Sequence, residues 1–277
     1  MTSLEGLGAL VTGGGTGIGK ACAAALAADG AAVTICGRTE ATLERAVDEI
    51  AALSLPGTVQ WIGCDVTDED QVVTAMHAAT EPTGSLGAVV ANAGGGGGMG
   101  PYHLLDTEEY ISVLHLNVMG TMLCVKHAVP LMRANGGGSF VGMSSIAGHV
   151  THQWFGAYPV AKAGIEAMMR NAADEFGPAG IRFNAIRPGF IATELMEFIP
   201  RDGEVYASYI ENTPLGDVGQ PDDVGRLARF LVGPESRWIT GQCINVDGGH
   251  SLRRGPQFTA FFERLCDDVL HGQLPDA

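Results

Sequence analysis

The chain has 277 residues, 46% of them hydrophobic, which suffices for one substantial core and, in an α/β arrangement, for one large domain. A net charge of −15 without any run of Lys or Arg argues against a nucleic-acid or anionic-membrane partner, and no apolar stretch approaches the roughly 18 residues that cross a bilayer. The beginning, MTSLEGLGALVTGG, has neither the basic start nor the long apolar segment of a signal peptide, so the expected location is cytoplasmic.

Short apolar runs at 7–12, 31–36, 58–63, 86–91, 138–144, 181–187 and 242–246 predict strands. Several are apolar at consecutive positions, as in parallel strands covered on both faces. Helical patterns fill the intervals at 17–29, 39–53, 68–80, 106–134, 156–177 and 221–232. This alternation predicts an α/β doubly wound parallel sheet with helices on both faces, in one domain spanning 1–254. The stretch 190–213 breaks the rhythm: it is rich in Met, Phe and Tyr, is interrupted by Pro200 and Gly203, and reads as a substrate lid. Met196, Phe198, Tyr206 and Tyr209 within it suggest an apolar, fairly bulky ligand, or burial against a neighbouring subunit. The tail 255–277 carries the amphipathic piece FTAFFERLCDDVL, expected to be helical and to pack on another protomer. Six scattered cysteines (Cys22, Cys36, Cys64, Cys124, Cys243, Cys266) form no Cys-x-x-Cys pair and read as reduced packing residues.

The first strand runs through TGGGTGIG, residues 12–19, into an alanine-rich helix. Gly13, Gly17 and Gly19 permit a tight turn and close approach to a pyrophosphate, while the helix start offers free N–H groups to its charge. About 20 residues on, where an acidic side chain usually holds the ribose of NAD, the sequence reads TICGRTE. Arg38 stands there instead, so NADP(H) is favoured through a grip on the 2′-phosphate, with NAD(H) possible if Arg38 is simply solvated. Asp65, in CDV, either accepts from an adenine amino group or caps the helix that starts near Asp68. Gly94 to Gly98 follow the fourth strand, and there Gly94 suits a close approach to the cofactor while Gly96 to Gly98 read as a flexible loop. His149 and His152 have a ligand-like spacing but no third ligand cluster, so no metal is expected and they read as pocket-lining or surface residues.

FGAYPVAKAG, residues 155–164, sets Tyr158 four places before Lys162. Carbonyl reduction leaves charge on the oxygen and needs a proton donor whose pKa lies near the working pH. A phenol starts about 3 units too high, a mismatch of roughly 4 kcal/mol, and an ammonium about 4 Å away supplies a Coulomb term of that order at an effective dielectric of about 20. One helical turn brings the two side chains within reach. Ser145, 13 residues upstream at the carboxyl end of a predicted strand, lies where open α/β sheets place ligands. Pro159 requires that the helix begin within a turn of Tyr158.

These motifs, with NAG at 92–94, Asn117 in LHLNVMG, MSSIAG at 143–148, YPVAK at 158–162, RPGFIAT at 187–193 and GQCINVDGG at 241–249, resemble the short-chain dehydrogenase/reductase family over about residues 6–250. The resemblance implies a Rossmann-type seven-stranded sheet, a homotetramer or homodimer, and alcohol or carbonyl redox chemistry with NAD(P)(H). It implies that Ser145 polarises the substrate oxygen, Tyr158 is the acid or base, Lys162 lowers its pKa and holds the ribose, and Asn117 helps a water chain reach Lys162. Gly15, Thr16 and Ile18 would join the three glycines in the cofactor cradle; Val66, Asn92 and Ala93 would flank Asp65 and Gly94 along it. Pro188, Gly189 and Ile191 would wall the nicotinamide, Thr193 would reach its carboxamide, and His149, His152 and Met196 would line the substrate pocket. The expected reaction interconverts a secondary alcohol and a carbonyl on a small, apolar substrate. The alternatives are a 3-oxoacyl-thioester reductase, a dienoyl- or enoyl-CoA reductase-like member, and, in another class, a catalytically silent dinucleotide-sensing protein.

Overall fold

A computed structural model describes residues 4–261. Seven segments pair as strands: β1 (Gly8–Thr12), β2 (Ala32–Gly37), β3 (Thr58–Gly63), β4 (Ala88–Ala91), β5 (Gly138–Met143), β6 (Ile181–Pro188) and β7 (Cys243–Val246). All pairings are parallel, in the order β3-β2-β1-β4-β5-β6-β7. The chain winds outward from β1 to β3 and then resumes on the other side of β1 with β4. This reversal opens a crevice at the carboxyl ends of β1 and β4, where such sheets bind ligands.

Both faces of the sheet are covered, which is why its strands read as unbroken apolar runs. On one face Ala9, Val11, Val33 and Ile35 pack against α1 (Gly17–Ala28), α2 (Glu40–Ala51) and α8 (Pro221–Val232). On the other, Leu10, Val89, Phe140 and Phe183 meet α3 (Glu69–Thr80), α5 (Gly120–Ala134) and α6 (Ala157–Phe176). Cys22, Cys36, Cys64 and Cys124 are buried free thiols in this packing. No described helix is long and apolar enough to cross a membrane.

The sequence predicts one helix over 106–134; the structure divides it. α4 (Thr107–Leu114) passes into a π-turn at His115–Met119 before α5 resumes. Asn117 sits in that turn, its Nδ2 donating to the Val113 carbonyl at 2.8 Å, while the Thr121 hydroxyl donates to the Asn117 carbonyl at 2.7 Å. Side chains that bond the backbone compete with the regular ladder and widen it locally.

The stretch 190–213 holds a short 3-10 turn, Glu194–Met196, and α7 (Glu204–Asn212). Phe190, Ile199, Val205 and Tyr209 form a third apolar cluster, and Phe258, from beyond β7, joins it. Of the predicted tail, residues up to 261 pack on their own chain; the rest of the amphipathic piece, and any crossing to a neighbour, lies outside the described residues.

Candidate active site

The crevice is a cavity of about 340 Å³ that runs from the glycine turn to Tyr158. β1 ends in Thr12, and Gly13 and Gly17 take positive φ of 64° and 47°, a region that glycine enters without strain. A Cβ on Gly19 would run into the Gly13 carbonyl, so helix and turn touch at backbone distance. Thr16 precedes α1 without a side-chain cap, which leaves the first N–H groups of the helix free to meet an anion. Thr16 and Ile18 line the cavity, while Gly15 backs onto Thr42.

Thr12, not singled out in the sequence, locks this turn to β4. Its hydroxyl accepts from the Asn92 and Ala93 N–H groups at 3.0 and 2.9 Å, and Asn92 Nδ2 donates to the Thr12 carbonyl at 3.0 Å and the Gly13 carbonyl at 3.2 Å. Asn92 and Ala93 therefore brace the turn as well as lining the cavity.

Arg38 follows β2, is exposed, and lines the same cavity with Asp65 and Val66. Asp65 does not cap α3; Asp68 does, accepting from Gln71 N at 3.1 Å. The Asp65 carboxylate instead accepts from the Thr67 N–H at 2.9 Å and hydroxyl at 2.7 Å, and the Thr67 N–H holds it below the usual carboxylate range, with the Arg38 charge assisting.

α6 begins at Ala157 after Gly156, whose φ is +53°, so Tyr158 is its second residue and Pro159 its third. The Tyr158 N–H donates to the Phe155 carbonyl at 3.1 Å. Pro159 sits where a helical N–H would have no acceptor inside the helix, and costs nothing there. Lys162 is only 4% exposed; its Nζ donates to the Met143 carbonyl at 3.0 Å and stands 5.4 Å from the centre of the Tyr158 ring. Burial pushes the ammonium down to about 8.

The electrostatics of the site add to the sequence argument. Burial pushes the Tyr158 phenol up, and a hydrogen bond with Ser145 pulls it back. Lys162 is turned onto the Met143 carbonyl, and burial lowers it without removing its charge at neutral pH. Ser145 also accepts from Ala147 N at 3.2 Å.

Ser144, next to Ser145, is buried beneath the site, 2.9 Å from Glu166 Oε1 and 3.1 Å from the Lys162 carbonyl. Glu166 forms a two-pronged ion pair with Arg187, with both contacts at 2.5 Å. That pair joins α6, one turn beyond Lys162, to β6 just before Pro188 and Gly189. Sequence reasoning missed it, although Glu166 follows Lys162 at i+4 and so shares its face.

Asn117 Nδ2 also donates to the Gly95 carbonyl at 2.8 Å and its Oδ1 accepts from Gly95 N at 3.3 Å. A Cβ on Gly94 would lie 2.5 Å from Asn117 Oδ1 and 3.1 Å from Lys162 Nζ, so the loop, the asparagine and the lysine close on one another. Gly98 N donates to Glu109 Oε1 at 2.7 Å, so the end of the glycine run is tethered rather than loose. Pro188, Gly189, Ile191, Thr193 and Met196 form the opposite wall of the cavity.

The two histidines stand elsewhere. His149 is exposed, and His152 is turned into the third cluster, its Nδ1 2.8 Å from the Val150 carbonyl and its ring 5.1 Å from Phe155. Neither lines the cavity, because the turn after Gly148 carries them behind Phe155. Among the described residues no three His, Cys, Asp or Glu are placed to hold a metal ion. Of the lid aromatics, Phe198 is 52% exposed, whereas Tyr209 is buried and stacked on Phe190 at 4.2 Å.

The glycines without room for a Cβ, the uncapped helix start and the cavity between them fit a dinucleotide. Comparison with known proteins agrees. A family profile described as enoyl-(acyl carrier protein) reductase matches residues 13–251. The cis-4-hydroxycyclohexanecarboxylate dehydrogenase of Sinomonas cyclohexanicum is 38% identical, over 88% of this chain and 96% of its own. The 3-oxoacyl-[acyl-carrier-protein] reductase FabG of Thermotoga maritima is 34% identical, over 89% and 98%. The structure of a short-chain type dehydrogenase/reductase from Mycobacterium ulcerans superposes with a TM-score of 0.94 at 44% identity, covering 98% of this chain and all of that one.

Proposed function

The chain belongs to the short-chain dehydrogenase/reductase family and is an oxidoreductase that uses a nicotinamide dinucleotide, and from this premise we propose that it interconverts a secondary alcohol and a carbonyl with NADP(H) as preferred cofactor. The observation that carries the reading is that Ser145, Tyr158 and Lys162 line one part of a cavity that the glycine turn and Arg38 also line, with Asn117 buried behind it against Gly94 and Gly95. A dinucleotide sensor needs the glycine turn and has no use for the other part.

When bound, the nicotinamide supplies or takes up the hydride. The chain's own groups do the rest. The glycine turn and the start of α1 receive the pyrophosphate, and Arg38, exposed at the cavity edge, is free to meet a 2′-phosphate. Ser145 donates to the substrate oxygen and holds it beside the phenol. Tyr158, kept protonated by burial, gives its proton to that oxygen in reduction and takes it back in oxidation. Lys162, still a cation at neutral pH although burial lowers it to about 8, would hold the ribose and, while charged, favours the phenolate. Asn117 holds the loop at Gly94 and Gly95 against Lys162, which keeps that ammonium in place.

The test is a spectrophotometric panel of ketones, secondary alcohols and 3-oxoacyl thioesters with NADPH and NADH, on the parent, Tyr158→Phe and Arg38→Asp. The parent is expected to prefer NADPH, and Arg38→Asp to move the ratio of kcat/KM values toward NADH by about a hundredfold, as expected for loss of a charge-assisted contact worth about 2–3 kcal/mol. An unchanged ratio removes the phosphate assignment. A protein that binds NADPH and turns over nothing removes the enzymatic one.

A further inference from the structure

Of the residues that line the cavity, only Arg38, Asp65, Lys162 and Glu194 carry charge. Arg38 and Asp65 stand just after β2 and β3 and offset each other, and Lys162 lies at the Tyr158 end. Glu194 has no such counterpart. It opens the short 3-10 turn Glu194–Met196 after Thr193, on the wall that faces the glycine turn.

That wall meets the start of α1 closely. A Cβ on Gly17 would lie 3.0 Å from Thr193 Cγ2 and 3.5 Å from Glu194 Oε2, so the carboxylate stands beside the first residue of the helix. The side chain is exposed, and among the described residues it has no hydrogen-bond or ion-pair partner. Lys20, the cation on the first turn of α1, is engaged elsewhere, 2.7 Å from Glu49 Oε2. The free N–H groups at the start of α1 attract an anion, and the chain's own carboxylate already stands beside them. A diphosphate that settles there is held by backbone dipoles and opposed by one uncompensated negative charge.

We propose that Glu194 sets the dinucleotide affinity by opposing the diphosphate, so that the cradle holds its cofactor more loosely than the glycines and the helix start alone would. This rests on the dinucleotide reading of the cavity, and not on which dinucleotide is preferred, because NADPH and NADH carry the same diphosphate.

The experiment measures Kd by calorimetry for NADPH, NADH and adenosine 2′-monophosphate on the parent, Glu194→Gln, Glu194→Lys and, as a control, Glu197→Gln, whose side chain lines only the neighbouring cavity. Glu194→Gln is expected to tighten both dinucleotides about fivefold and Glu194→Lys at least about tenfold, as for the removal and the reversal of one exposed charge at close range. Adenosine 2′-monophosphate, which has no diphosphate, stays within about twofold, and the gain for the dinucleotides shrinks toward unity in about 0.5 M NaCl, because exposed charges are screened. Unchanged Kd values for both dinucleotides in Glu194→Gln overturn the proposal. So does an equal gain for adenosine 2′-monophosphate, an equal gain in Glu197→Gln, or a gain that persists in high salt, each of which means that the charge does not act on the diphosphate. Equal NADPH and NADH affinities in the parent fail the NADP(H) preference alone, and the tightening in Glu194→Gln still decides this proposal.

Discussion

Lys162 carries its charge at a buried position that disfavours it. Its ordinary value is 10.5 and burial lowers it to about 8, so at pH 7 the folded chain keeps a buried cation at a cost of about 3 kcal/mol. The sign follows from the depressed value: the deficit is absent above about pH 10.5, grows as the pH falls toward 8, and is complete at 7. Lys162→Met is therefore expected to raise the melting temperature of the ligand-free protein by roughly 3–6 °C at pH 7, after allowance for the lost bond to Met143, and to eliminate turnover. Differential scanning calorimetry at pH 7 and 10 checks both the sign and its disappearance. Tyr158→Phe is expected to lower kcat at least a thousandfold while dinucleotide affinity stays within about threefold, a loss of about 4 kcal/mol confined to the chemical step. At this scale the sequence was readable in bringing Ser145, Tyr158 and Lys162 to one cavity. It was not readable for Thr12 or Arg187, whose roles depend on which strands become neighbours, nor for His149 and His152, read as pocket-lining or surface residues, which the turn after Gly148 leads away from the cavity.

Among the elements, α6 carries Tyr158 and Lys162, and an ion pair anchors it to the sheet. Glu166 and Arg187 are both largely buried, and removing one partner of such a pair leaves an uncompensated charge, which costs about 3–5 kcal/mol. Glu166→Gln is expected to lower stability by that amount in urea unfolding. Glu166→Gln with Arg187→Met should recover most of it, since two apolar or neutral groups of similar volume replace the pair. All seven strands and the major helix patterns were legible, with boundaries within one or two residues, because coverage on both faces makes parallel strands uniformly apolar. The division of 106–134 was not legible. Nothing in its periodicity announces a π-turn; what produces it is the bonding of Asn117 and Thr121 to the backbone, visible only once the helix exists.

For the molecule as a whole, the segment after β7 brings its own His250 beside His152, ring to ring at 6.3 Å. His152 is held near 4 by burial against an ordinary 6.5, and His250, with its Nδ1 unpartnered among the described residues, is also pushed down by burial. An unfolded chain takes up protons near 6.5 while the folded one waits until about 4, so stability is complete above about pH 6.5 and declines as the pH falls toward 4. His152 alone accounts for about 3 kcal/mol of that decline. Thermal melts from pH 7.5 to 4.5 are expected to show it, and His152→Gln to flatten the curve; an identical curve for the variant removes this account. The global arrangement followed from the alternation of strands and helices, but the packing of Phe258 on its own chain did not, because FTAFFERLCDDVL reads equally well as a helix facing another subunit.

Gly156, at a φ of +53°, and Pro159 bracket Tyr158 within four residues. One opens a backbone region that a side chain would close, and the other freezes a dihedral angle at the next position. The root of the Tyr158 side chain is thus set by the covalent chain, while the bearing of its ring is set by Phe155 and by the hydrogen bond with Ser145. Directed evolution of the lining can proceed around a fixed attachment point as long as those two contacts are kept.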